Sequence, residues 1–212
     1  MSSEQPLYPL GSFRREDPSD DELFYDYPRL VVHIDDDAVA AVTRYLNTAL
    51  PRNSVILDLM SSWRSHLPES FPKQKLVGLG MNKVELDENP QLDERIVHNL
   101  NKNPRLPFAD NTFDAAVVTV SIQYMIQPVA VFKEVNRVLK PGASFHVIYS
   151  NRMFPTKAVL IWQLLNDEQH GDLIASYFTN SSGWDAPRIL DVSPKSSSYT
   201  DPVFVVTATK SA

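Results

Sequence analysis

Pro128-Val129-Ala130-Val131-Phe132-Lys133-Glu134-Val135-Asn136-Arg137-Val138-Leu139-Lys140-Pro141-Gly142, running on into Ala143-Ser144-Phe145-His146-Val147-Ile148-Tyr149-Ser150, is the stretch whose reading decides the fold. Its first half carries Val129, Phe132, Val135, Val138 and Leu139 at the three-to-four spacing that lines one face of a helix. Pro128 suits a first helical turn, where a missing N–H costs nothing. Pro141-Gly142 terminates that helix. Ala143–Ser150 is short, dense and apolar, which predicts a strand. A helix that delivers the chain into a buried strand is the repeating unit of an α/β sheet.

Outward from this stretch the same alternation continues. Phe113–Val120 is the clearest apolar strand, Ser54–Met60 and Lys75–Gly80 are two more, and Arg95–His98 is a weaker one. Asp35 or Asp36 caps a helix through Leu50, with Val39, Val42, Leu46 and Ala49 on one stripe and Pro51 beyond its end. Pro155 predicts a helix containing Val159, Trp162 and Leu165. Arg188–Val192 and Val203–Thr207, with no helix between them, predict an antiparallel hairpin at one edge. The fold class is α/β: a Rossmann-like, mostly parallel sheet with helices on both faces. Residues 1–22 mix Pro, Ser, Gly and acidic side chains and are expected to form a flexible N-terminal arm that drapes over one domain of residues 23–212.

Bulk properties narrow the function. The 212 residues suffice for one sizeable domain. A net charge of −6 opposes general binding to nucleic acid or anionic membranes, which draws on clustered Lys and Arg. No apolar run reaches the ~20 residues of a membrane span, and the first twenty residues lack the apolar stretch of a secretory signal. There is no Cys, hence no disulfide, thiolate metal site or Cys nucleophile. His66 and His98 lack carboxylate partners at ligand spacing, so no metal is expected. The cytoplasm is the default location, and the oligomeric state stays open.

Three segments carry a resemblance. Leu106-Pro107-Phe108-Ala109-Asp110-Asn111-Thr112-Phe113-Asp114, Glu134 through Gly142, and Val55-Ile56-Leu57-Asp58-Leu59 resemble, in order and spacing, class I S-adenosylmethionine-dependent methyltransferases of the type 11 group. The resemblance spans roughly residues 50–150. It implies the class I methyltransferase sheet, S-adenosylmethionine as cofactor, S-adenosylhomocysteine as product and a methyl acceptor as partner. The acceptor is expected to be a small molecule.

The departures fall on the cofactor side. Where the family has a G-x-G-x-G loop, this chain has Met60-Ser61-Ser62-Trp63-Arg64. The acid that ends the family's second strand, and accepts from the ribose hydroxyls, is replaced by Gly80. Asn99 stands for the Asp after the third strand.

The resemblance nevertheless marks Asp58, Met60, Ser61, Ser62, Gly80, Asn82, Asn99, Leu100 and Ser121 as cofactor-binding positions. Each has a plainer alternative. Asp58 either lies beneath the cofactor's amino acid moiety or satisfies loop donors; Ser61 and Ser62 either contact a ligand or cap a helix. Asn82 either takes over the ribose contact or caps Lys83–Asp87. Asn99 and Leu100 either face the adenine or form a loop. Trp63 either stacks beside the site or plugs it.

For the acceptor, Tyr124 follows the fourth strand beside Gln123, and Ser150-Asn151-Arg152 ends the fifth with a cation able to bind an acid. Arg29 and His33, before the first long helix, can pair with a carboxylate and serve as a base. No catalytic residue stands out, because methyl transfer needs alignment and dryness more than acid–base help. Three readings follow: a small-molecule methyltransferase; a catalytically inactive methyltransferase-like binding or scaffold protein, favoured by the missing glycines; and a nicotinamide-dependent oxidoreductase, which needs those same glycines and an acid that is also missing.

Overall fold

The computed structural model describes residues 7–195 and 198–211. Val55–Leu59 (β1), Lys75–Gly80 (β2), Glu94–Val97 (β3), Phe113–Thr119 (β4) and Leu139–Tyr149 (β5) form a parallel sheet in the order β3-β2-β1-β4-β5. Arg188–Asp191 (β6) and Phe204–Thr209 (β7) complete seven strands, β7 antiparallel to β5 and β6 at the edge. The helices are Asp21–Tyr25 (α1), Asp36–Ala49 (α2), Lys83–Asp87 (α3), Pro128–Val138 (α4), Leu160–Gln163 (α5) and Asp167–Ser181 (α6), with a single 3₁₀ turn at Ile122–Tyr124.

Strand alternation sorts the core into two layers. Ile56, Ala115, Val117 and Ile148 face Ala38, Val42 and Leu46 of α2 and Leu86 of α3. Leu57, Leu59, Ala116, Val118 and Phe145 face Phe132 and Val135 of α4 and Ile174 and Phe178 of α6. Phe132 meets Phe145 and Phe178 edge-on, with centroids 5.0 and 4.8 Å apart. Each such side chain contributes ~1.5–3 kcal/mol by leaving water. This double coverage explains why β1 and β4 read as continuous apolar runs. Asp35 caps α2 by accepting from the Ala38 N–H.

Three expectations need correction. The fifth strand begins at Leu139 and not at Ala143: Pro141-Gly142 ends α4 but lies within the strand, as an irregularity where the pairing with β4 jumps from Phe113↔Leu139 to Ala115↔Ser144. Pro155 opens a turn instead of a helix, the Phe154 carbonyl accepting from Lys157 and Ala158, and α5 is a single turn that ends before Leu165. The long helix α6 was not anticipated, although Asn166 and Gln169 form a reciprocal capping box at its start.

Residues 8–22 run across the α4–α6 face. Tyr8 bonds Ser176 and Asn180, and Phe13 packs with Tyr8 on the Tyr177 ring. The Ser12 and Arg14 carbonyls accept from Ile161 and Leu160. Lys157, with no exposed surface, sends its Nζ to Asp17 (3.0 Å) and the Ser19 carbonyl (2.9 Å). Asp21, also buried, is held by Arg15 at 2.5 Å and lies 3.5 Å from Lys157. Among the described residues no helix is long and apolar enough to cross a membrane, and no group of three His, Cys, Asp or Glu is placed to hold a metal ion.

A buried charge cluster is strongly weakened when one partner is removed, because its opposite number stays behind unpaired. Lys157→Met is therefore expected to speed limited proteolysis within residues 8–33 several-fold, while the sheet region 36–209 persists. Equal cleavage rates in the two proteins would show that the cluster does not fix this segment.

Candidate functional site

The sheet order reverses direction between β1 and β4, so the chain leaves their carboxyl ends toward opposite sides and opens a crevice there. Loops from β1, β2, β3 and β4 meet at this point and enclose a cavity of about 260 Å³. That is slightly under the ~300–1,000 Å³ of small-molecule sites.

Met60, Ser61 and Ser62 form the floor after β1, and Gly80 and Asn82 the wall after β2. Asn99 and Leu100 close the β3 side; Ser121 and Tyr124 follow β4. Arg29, His33 and Arg152 line the opposite side. Two positions from the sequence reading lie elsewhere. Asp58 lines a smaller adjoining hollow, and Asn151 is exposed, 3.3 Å from the Tyr199 hydroxyl. Trp63 does not fill the cavity: it borders that same hollow and donates from Nε1 to the Val31 carbonyl at 2.9 Å.

The altered loop folds back onto β2. The Ser61 N–H donates to the Leu79 carbonyl at 2.9 Å. Its own carbonyl oxygen would lie 2.1 Å from a Cβ placed on Gly80, so only glycine fits at the end of β2. The rewritten loop thus closes the position where the acid is missing. Hydrogen bonds from side chains hold the loop. Asp58 Oδ2 accepts from the hydroxyls of Ser61 (2.7 Å) and Ser65 (2.6 Å), and Asn89 Nδ2 donates to Ser65 Oγ and the Ser62 carbonyl. Met60, at the first glycine position of the family loop, has a left-handed φ of 57°.

The segment carrying α1 forms a lid over the cavity, and much of the wall serves to hold it. Asn82 caps α3 by accepting from the Glu85 N–H and spends both amide hydrogens on the Tyr25 and Asp26 carbonyls. Glu85 accepts from the Arg29 N–H and the Ser62 hydroxyl, each at 2.7 Å. Asn101 donates to Asp21 and to the Tyr124 carbonyl. Arg29 places its guanidinium 4.3 Å from the Phe24 ring centre and 5.6 Å from that of Phe154. His33 meets Phe154 edge-on at 5.0 Å, and Phe154 stacks on Tyr124, whose hydroxyl accepts from the Phe154 N–H.

Glu85, Asn101, Asp21 and Phe154 were missed by sequence reasoning. Only Asn101, in the Asn99-Leu100-Asn101 loop after a strand, carried a positional signal. The other three depend on how the lid docks.

Desolvation dominates the titration of the site. It raises the Asp58 carboxyl to about 6, against the pull of the two serine hydroxyls, and lowers His33, with Glu85 opposing and Arg29 assisting. His33 is therefore neutral at pH 7. Burial also raises the phenols of Tyr25 and Tyr124, which stay protonated.

Residues 40–147, a little over half of the chain, match the family described as methyltransferase domain. The chain belongs to this family. Among curated relatives it is similar to cycloartenol-C-24-methyltransferase 1 of Oryza sativa subsp. japonica (46% identity over 43 residues, 20% of this chain and 12% of the relative). It is also similar to methyltransferase phqN of Penicillium fellutanum (36% over 83 residues, 36% of this chain and 26% of the relative). The similarity thus spans about an eighth to a quarter of these relatives' length.

Solved structures share the fold. A Thermotoga maritima S-adenosylmethionine-dependent methyltransferase has a TM-score of 0.58 at 17% identity, over 82% of this chain and 89% of the other. The 4+2 cyclase SpnF has a TM-score of 0.61 at 15% identity, over 90% and 92%.

S-adenosylmethionine is the methyl donor of class I methyltransferases, and the residues present fit such a group. Thr119 Oγ1 and Ser121 Oγ, at its β4 edge, are buried hydroxyls without a protein partner.

Two outcomes are expected from this geometry. Gly80→Ala should cost about 2–3 kcal/mol in urea unfolding, since its Cβ meets fixed backbone. Gly142→Ala, left-handed at φ 78° but with nothing within 4 Å, should cost only about 1 kcal/mol. Equal costs would show that the Ser61 loop yields freely.

The second outcome concerns pH. Asp58 titrates higher in the folded chain than its ordinary 3.8, so protonation favours folding. Its stabilising effect grows as pH falls through about 6 and is complete near 4. His66 and His146, lowered by burial to about 4, act oppositely over 6.5 to 4. The stability difference between Asp58→Asn and the native chain should therefore shift by about 2 kcal/mol between pH 7.5 and 4.5, toward the native chain at low pH. A difference that does not vary with pH would show that Asp58 stays ionised.

Proposed function

We propose that the chain is an S-adenosylmethionine-dependent methyltransferase acting on a small, planar, anionic molecule. One observation carries this reading: the cavity at the β1–β4 switch point remains open although its glycine loop has been replaced. Donor-side residues (Met60, Ser61, Ser62, Gly80, Asn99, Leu100 and Ser121) and acceptor-side residues (Arg29, His33, Tyr124 and Arg152) line one continuous space. The bound donor would supply an already electrophilic methyl group.

The chain's own residues then have modest tasks. Phe154, Tyr124 and Tyr25 offer apolar ring surface for a flat acceptor. The Arg29 guanidinium bonds only the Phe24 and Tyr27 carbonyls and forms no ion pair among the described residues, so it can receive an anionic group. Arg152 is already paired with buried Asp201 at 2.8 Å, which leaves it the weaker choice. His33, neutral and beside the rings, can accept a proton from an acceptor hydroxyl or amine. The lid excludes water.

The inactive, scaffold-like reading has its own support. Ser61, Ser62 and Asn82 already spend their polar groups within the protein. Calorimetric titration of the full chain with S-adenosylmethionine and S-adenosylhomocysteine separates the two. Binding with a Kd in the micromolar range is expected. No heat at millimolar ligand would sink the enzyme reading and leave the scaffold one.

A further inference from the structure

We propose that Glu85 takes the ribose hydroxyls of the methyl donor, replacing the acid absent from the end of β2; this rests on the cofactor reading above. The usual position is closed to any side chain, because the Ser61 carbonyl stands 2.1 Å from where a Cβ at residue 80 would be. Five residues on, the first turn of α3 brings Glu85 into the same wall, fixed there by the Asn82 cap on its N–H.

Glu85 is 8% exposed, and its carboxylate forms no ion pair among the described residues. Its partners are one hydroxyl and one backbone N–H. A carboxylate has room for about four donors, so about two places stay open. Burial of an unpaired acid is costly unless donors satisfy it. Two sugar hydroxyls are such donors.

The other acids near the cavity are committed. Asp21 holds Arg15 and Asn101 and lies beside Lys157, and Asp58 lines the neighbouring hollow and holds Ser61 and Ser65. Asn82 has both amide hydrogens on the lid. Glu85 is the pocket-wall acid left with acceptor capacity.

The test is calorimetric binding of S-adenosylhomocysteine and its 2′-deoxy and 3′-deoxy forms to the full chain. In the native protein at least one deoxy form should bind about tenfold or more weakly, the effect of losing a hydrogen bond to a charged group. In Glu85→Ala that ratio should fall to near one. If this variant fails to fold, Glu85→Gln keeps an acceptor but no charge, and should lower the ratio at least about threefold. A native ratio near one overturns the proposal. So does a ratio unchanged in the Glu85 variants, or one that collapses in Asn82→Ala instead. These outcomes leave the cofactor reading standing, because the native chain still binds S-adenosylhomocysteine. No binding by the native chain at millimolar ligand overturns both.

Discussion

The contact between the Ser61 carbonyl and the backbone of Gly80 governs the geometry of the whole crevice. A glycine-rich loop leaves space beside β2 because its backbone can turn without side chains. Here the chain turns with side chains present, and it lies directly on the end of β2. Three consequences follow from that single closure. No acid can stand at residue 80. Asp58 is enlisted to hold the loop from below through Ser61 and Ser65, at the cost of a buried carboxyl whose neutral form is favoured. And Ser62 is carried toward α3, where it meets Glu85.

The lid depends on the same arrangement. Its carbonyls at Tyr25, Asp26 and Val31 are received by Asn82 and Trp63, and its Arg29 N–H by Glu85. Trp63 belongs to the loop after β1, and Asn82 and Glu85 to the cap and first turn of the helix after β2. Lid and wall therefore share hydrogen-bonding groups. A ligand that drew on Glu85 would reach the lid through one carboxylate. The lid is held by contacts that the cavity wall itself supplies, so closure and the shape of the site are not independent properties. The buried Lys157 cluster and the rings around Phe154 anchor the far side of the lid.

The sheet was legible in the sequence because burial on both faces leaves an unmistakable pattern in β1, β4 and the second half of β5. The cavity was legible too, since strand ends locate it whatever the side chains are. Most of what failed to show depends on contacts between residues far apart in the chain. Glu85 reads as an ordinary charge in a helix; only the Asn82 cap and the docking of Arg29 make it buried. Lys157 reads as a surface lysine, and its partners Asp17 and Asp21 lie about 140 residues away. Helix α6 is a different case: its capping box was present in Asn166 and Gln169, but weak amphipathic contrast hid the rest. Asn151 stands one residue short of Arg152, which lines the cavity while Asn151 does not.

The backbone adds an independent argument about where this chain departs from economy. Among the described residues six that are not glycine have positive φ. Asn53 and Asn111 are turn residues of a type that tolerates it, and Ser182 ends α6. The other three are Met60, His66 and Val120, all in loops after β1 and β4 that border the cavity or its adjoining hollow. A left-handed β-branched residue costs on the order of 1–3 kcal/mol and persists only where surrounding contacts impose it. Val120 is imposed by its N–H bond to the Ile148 carbonyl, Met60 by the Ser61 bond to β2. The loop after β1 holds no glycine, yet Met60 turns left-handed. A loop without a duty has cheaper conformations open to a methionine. Strain at the two strand ends that frame the crevice therefore weighs for a site shaped to receive a ligand.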